Sequence, residues 1–134
     1  MTTPSAERKY RSKLRCWERD PWSYLWQQKK ENAAKRKQLF TLTPEWVAEV
    51  GAQGCPYLHL PFILQPPQPP GSPKGFTAIA PMTPTFDQIE AGEGYTEDNT
   101  RIISWWANRA KGDDTTEDFI NYCRMVAEKH GGQW

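Results

Sequence analysis

The residues whose types and spacing bear on chemistry gather in one stretch, residues 84–116, PTFDQIEAGEGYTEDNTRIISWWANRAKGDDTT. It runs Asp87-x-Ile89-Glu90, a glycine turn, Gly94-Tyr95-Thr96, then Asn99-x-Arg101 with two apolar residues. Ser104-Trp105, Ala107-Asn108-Arg109-x-Lys111 and an acidic turn follow, ahead of a helical pattern. Taken singly, Asp87 before a glycine-rich turn reads as a turn acid, and Asn99 as an Asx turn at a strand end. A second candidate is the basic run KKENAAKRK at residues 29–37. With Lys29, Lys30, Lys35, Arg36 and Lys37 facing outward, a helix here suits a phosphate backbone. The same run also suits a solvated helix paired with an acidic body.

These residues need elements to position them. Residues 1–20 read as a flexible or partly helical basic arm. Pro21 opens a predicted helix over 22–39, with Trp22, Leu25 and Trp26 on one face. Thr43-Pro44-Glu45 starts a short helix: a cap, a proline suited to the first position, and an acid that complements the dipole. Its inward residues are Trp46, Val47 and Val50, and Gly51 or Gly54 ends it. Strand candidates follow at Tyr57–Leu64 and Phe76–Ile79, joined by a proline-rich loop at 65–73 that fits neither strand nor helix. Residues 79–99 read as turn-rich. A helix is predicted from Trp105 to about Lys111, and Thr115 caps a last one. On that last helix Phe119, Ile120, Cys123, Val126 and Ala127 share a face, which predicts a structural helix with Cys123 in the core.

The 84–116 block resembles the phage-type HNH endonucleases, a branch of the ββα-metal (His-Me finger) nucleases. The likeness extends upstream through Phe40-x-Leu42-Thr43-Pro44-Glu45-Trp46 and Cys55-Pro56-Tyr57-x-x-Leu60-Pro61-Phe62, and spans roughly residues 22–126. It implies an α+β fold: a small ββα-metal core with a β-hairpin, a basic helix before it and a C-terminal helix after it. The domain reading is a basic arm at 1–20 and one HNH-like domain at 21–134. The family's chemistry uses a divalent ion, Mg²⁺ or Mn²⁺, as a Lewis acid at the scissile phosphate. Such hard cations want oxygen ligands. Asp87 matches the metal-binding position and Asn108 is the second candidate near the metal. Asn99 matches the family's middle Asn, which fixes the active-site loop. Arg101, Arg109 and Lys111 are placed to meet phosphates.

The departures are as specific. Where typical members carry a general-base His, this chain has Gln88, which cannot take and hold a proton near neutral pH. Its remaining role would be to position water. His59 is the other candidate to approach the site as a base, although an isolated His is more often structural. Relatives with a structural zinc carry paired Cys-x-x-Cys ligands. Here Leu58 stands three residues after Cys55, so a structural zinc is not expected.

Three cysteines, with no Cys-x-x-Cys, fit a reducing compartment better than a disulfide framework. No run is long and apolar enough for a membrane span, so no membrane partner is expected. The net charge of +1 hides a split: residues 1–40 carry eleven Lys or Arg against four Asp or Glu. Such asymmetry suits a basic element for an anionic partner. Two functions follow. The first is a metal-dependent DNA endonuclease acting on duplex or branched DNA in the cytoplasm, that of a bacterial host for a phage-encoded chain. The alternative is an inactive nuclease-fold protein that binds DNA or modulates a host protein. It would use the acidic face of Glu90, Glu93, Glu97, Asp98, Asp113 and Asp114, or the proline-rich loop. An RNA-binding module with stacking Trp residues is a third, weaker reading.

Overall fold

The computed structural model describes residues 3–72 and 80–131. It is an α+β arrangement of helices and one two-stranded antiparallel sheet. The helices are α1 (Pro4–Arg19), α2 (Pro21–Lys35), α3 (Pro44–Gly51), α4 (Trp105–Lys111) and α5 (Thr116–His130). The strands are β1 (Pro84–Gln88) and β2 (Thr100–Ser104).

Of the two readings of the N-terminal segment, flexible or partly helical, the structure has the helical one, continuous from Pro4 to Arg19. Thr3 caps α1 by accepting from the Ala6 N–H, and Asp20 both ends α1 and caps α2 by accepting from the Ser23 N–H. Pro21 then occupies the first turn of α2, where its missing N–H costs nothing. The helix stops at Lys35, short of the predicted residue 39, because Lys37 adopts a left-handed backbone with φ 56° that no α-helix can contain. Thr43 caps α3 through the Trp46 N–H. α3 ends at Gly51, and that position takes glycine because the Trp22 ring lies where a side chain would go.

The sheet is not built from the expected strands. Residues 57–64 form no strand among the described residues, and the candidate at 76–79 lies outside them. Instead Cys55 N–H donates to Leu60 O and His59 N–H to Cys55 O, closing a tight turn in which His59 has φ 54°. The strands that pair are β1 and β2, in the register Phe86↔Ile102, Asp87↔Arg101 and Gln88↔Thr100. β1 falls inside the stretch read as turns, since Pro84 and Asp87 are both poor strand residues. The proline-rich segment therefore precedes the hairpin and does not connect its strands; Pro73 lies outside the described residues.

Side chains alternate across this ribbon, so its two faces pack against different partners. Phe86 and Ile102 join Leu42 and Val47 in one cluster, covered by Trp22, Leu25 and Trp26 of α2 and by Trp46 and Val50 of α3. Trp26 also donates its indole N–H to Leu42 O at 2.7 Å. On the other face Ile103 packs with Cys55 and Ala107, flanked by Tyr57, Phe62 and Met82. α4 starts directly from β2: Ser104 Oγ accepts from the Ala107 N–H at 3.0 Å, and Cys55 Sγ accepts from the Ser104 N–H.

The last helix departs from its expected role. Only Phe119 of α5 is buried, set edge-on against Tyr57. Ile120, Met125 and Val126 stay exposed, and so does Cys123, so Cys123 is not a core residue. Phe119, Ile120, Cys123 and Ala127 of the stripe line an open groove with Leu58, His59 and Trp106. Periodicity reveals that an apolar face exists, but not that the chain covers it. Among the described residues no helix is long and apolar enough to cross a membrane.

Candidate functional site

The β1–β2–α4 order brings Asp87 to the edge of the ribbon on the face that α4 covers. Lys111 at the end of α4 reaches it, with Nζ 3.5 Å from Asp87 Oδ2. The two side chains are only 8% and 13% exposed, so the pair is largely withdrawn from water. Gly112 follows with φ 56° and its N–H donates to Asn108 O, which terminates α4 at this point. Asp87, Gln88 and Lys111 border one cleft of about 700 Å³, with Arg36 from the end of α2 and Asp113 and Asp114 from the turn before α5.

The loop from Ile89 to Asn99 forms another wall of the cleft, and two side chains hold it. Asn99 Oδ1 accepts from the Glu90 N–H at 2.8 Å, while its Nδ2 donates to Glu90 O at 3.1 Å and Gly94 O at 2.8 Å. Gln88 Oε1 accepts from the N–H groups of Gly92 at 3.0 Å and Gly94 at 3.2 Å. That oxygen is committed to the turn and does not serve a water in the cleft. Gly94 has φ 94°, and a Cβ there would meet Leu39 Cβ at 2.8 Å, so this position requires glycine. Here Tyr95 N–H donates to Leu39 O and Thr41 N–H to Tyr95 O, which clips the loop to the segment after α2.

The structure does not gather every residue singled out in the sequence. His59 is exposed and lines the α4–α5 groove, whereas Asp87 lines the other cleft. Arg101 donates from Nη1 to Thr116 Oγ1 at 2.8 Å and to Tyr57 Oη at 3.2 Å, so it anchors α5 to the sheet. Arg109 lies over the Trp105 ring, 5.4 Å from its centroid. Lys30 lies over the Trp26 ring, while Lys35, Arg36 and Lys37 are exposed. Lys29 does not face outward. Its Nζ sits 5.8 Å from the centroid of the Phe86 ring, half-buried between α2 and β1. The α2 stripe carrying Trp22 and Trp26 includes position 29 by its three- and four-residue steps, so the inward turn of Lys29 was within reach of the sequence.

Burial of Lys29, and next the charge of Arg36, lower its pKa from the ordinary lysine value of 10.5. The folded chain therefore binds fewer protons than the unfolded chain between the lowered folded pKa and 10.5, and stability rises with pH across that window. Lys29→Met removes the buried cation and should raise the Tm by a few degrees at neutral pH. That advantage should shrink as alkaline pH discharges the lysine, which thermal melts at several pH values would check.

A divalent ion fits here only in an economical form. Among the described residues no three His, Cys, Asp or Glu side chains group to hold a metal. Asp87 supplies one carboxylate, and Asn108 lies one helical turn before Lys111 on α4. One carboxylate with solvent and substrate phosphate is a donor set that Mg²⁺ accepts, since it keeps several waters and binds through one or two carboxylates. No family model, curated protein or solved structure matches this chain.

Proposed function

We propose that this chain is a metal-dependent DNA endonuclease of HNH type that works at the Asp87 cleft. The observation that carries the reading is the β1–β2–α4 order, with a strand carboxylate opposite a helix-borne lysine in a cleft rimmed by Arg36. Asp87 and Asn108 would hold Mg²⁺ or Mn²⁺, which when bound supplies Lewis-acid stabilisation of charge on the phosphate oxygens. Lys111 neutralises Asp87 in the free protein. With a cation held at Asp87, the Lys111 ammonium would be available to a phosphate oxygen. Asn99 keeps the loop wall in register with β1, and the exposed Lys35, Arg36 and Lys37 approach the backbone without reading sequence.

A specific observation favours the second reading, a protein that holds DNA without cutting it. The Gln88 oxygen is bound into the turn and His59 lines the other groove, which leaves the cleft with no histidine to activate water. Nicking of supercoiled plasmid with Mg²⁺, Mn²⁺ or neither separates the two. The endonuclease reading expects metal-dependent nicking, reduced at least ~100-fold in Asp87→Asn and unchanged in His59→Ala. No nicking by folded wild type with either metal, alongside retained DNA binding, would sink that reading and leave the binding protein.

A further inference from the structure

Beside the cleft, where α2 ends, a small cavity of about 80 Å³ is lined by Lys29, Asn32, Arg36, Gln38 and Tyr95. Two cationic side chains share it, and among the described residues neither is paired with a carboxylate. Lys29 is half-buried against the Phe86 ring, so it has given up much of its water without gaining an anion. Gln38 Oε1 is buried with no hydrogen-bond partner. Bringing two like charges together at a partly dry site is costly, and an unmade polar contact adds to the cost.

We propose that this cavity is a phosphate-binding site. It binds the phosphate group of a nucleic acid strand that runs on into the Asp87 cleft. A tetrahedral oxyanion relieves each cost at once. It gives Lys29 a counter-ion, accepts the fork of Arg36, and offers acceptors to the Asn32 amide and the Tyr95 hydroxyl. The Gln38 amide, turned half over, presents its Nε2 as a further donor. Arg36, Gln38 and Tyr95 border both this cavity and the cleft, so a strand can hold one phosphate here while the next lies over Asp87. The lowered pKa of Lys29 agrees with this arrangement, since an amine kept short of counter-charge gains most from an arriving anion. The nucleic-acid origin of the phosphate rests on the reading above; the anion site itself does not.

The test uses the full chain without divalent metal, at constant ionic strength. Calorimetric titration with inorganic phosphate should show binding to wild type and to Lys13→Met, and binding about tenfold or more weaker in Lys29→Met and Arg36→Gln. Single-stranded oligonucleotides with a 5′-phosphate or a 5′-hydroxyl then separate the sources. A preference for the phosphorylated end, lost in Lys29→Met, assigns a terminal phosphate. Equal binding of both, lost in Lys29→Met, assigns an internal phosphodiester. Wild-type affinity for phosphate in both variants would overturn the site, as would no phosphate binding by wild type. Should Lys29→Met fail to fold, the Lys29 side-chain resonance in wild type replaces it: its titration midpoint must rise on adding phosphate, and an unmoved midpoint overturns the proposal. Phosphate binding without nicking would sink only the endonuclease reading, and nicking without phosphate binding only this site.

Discussion

Asp87→Ala should cost the fold about 3–5 kcal/mol, because it leaves a buried ammonium with no counter-charge. Lys111 is 8% exposed and its only ion-pair partner among the described residues is Asp87. The pair itself need not stabilise the protein much, since each ion lost its hydration to form it at 3.5 Å. Removing both charges is therefore the milder change. Asp87→Ala with Lys111→Met should recover most of the loss, so the two substitutions should be far from additive. Urea denaturation of wild type, both single variants and the double variant checks this. Simply additive losses would show that the two groups do not depend on each other. The result also bears on the nicking test, where Asp87→Asn is the better probe because it removes the charge and keeps the side-chain shape.

The second large effect is expected at Asn99. Its side chain makes three hydrogen bonds to Glu90 and Gly94, and its own carbonyl accepts from the Ile89 N–H. Asn99→Ala leaves an N–H and two carbonyls of the loop without these partners, at about 1 kcal/mol each and roughly 3 kcal/mol in all. Asn99→Asp keeps the acceptor for the Glu90 N–H but sets a carboxylate oxygen against the Glu90 and Gly94 carbonyls, so it should cost at least as much as Ala. Amide hydrogen exchange is the sharper measurement. The Glu90 and Gly92 N–H groups should lose protection in Asn99→Ala while Ile102 and Ile103 at the sheet centre keep most of theirs. Unchanged exchange at Glu90 would mean that Gln88 alone holds the loop. Because this loop walls the cleft, the same variant should weaken whatever binds there without touching Asp87.

Much of the local structure was legible from single residues. Thr43, Ser104 and Thr115 cap helices with side-chain oxygens three residues upstream of the N–H they accept from. Pro21 and Pro44 open helices in the first turn, and Gly112 closes α4. The Trp22, Leu25 and Trp26 stripe packs on the core as its spacing predicts. These signals act over one or two turns of chain, so neighbouring residues suffice to fix them.

What only the tertiary structure decided is pairing across long separations. Tyr57–Leu64 has the more strand-like composition, yet Pro61 and the turn at Cys55–Leu60 leave it outside the sheet. β1, with one large apolar side chain, becomes a strand because Phe86 faces Ile102 and completes the cluster under α2 and α3. The α5 stripe and the Lys29 ammonium reverse their expected positions for the same reason. Periodicity gives the direction in which a side chain points around its helix, while burial depends on what the rest of the chain puts there. Nothing local forces Asp87 to meet Lys111. The register of β1 on β2 and the direct passage of β2 into α4 bring them together. A shift of that register by one residue would turn Asp87 into the opposite core, because successive strand side chains point to opposite faces.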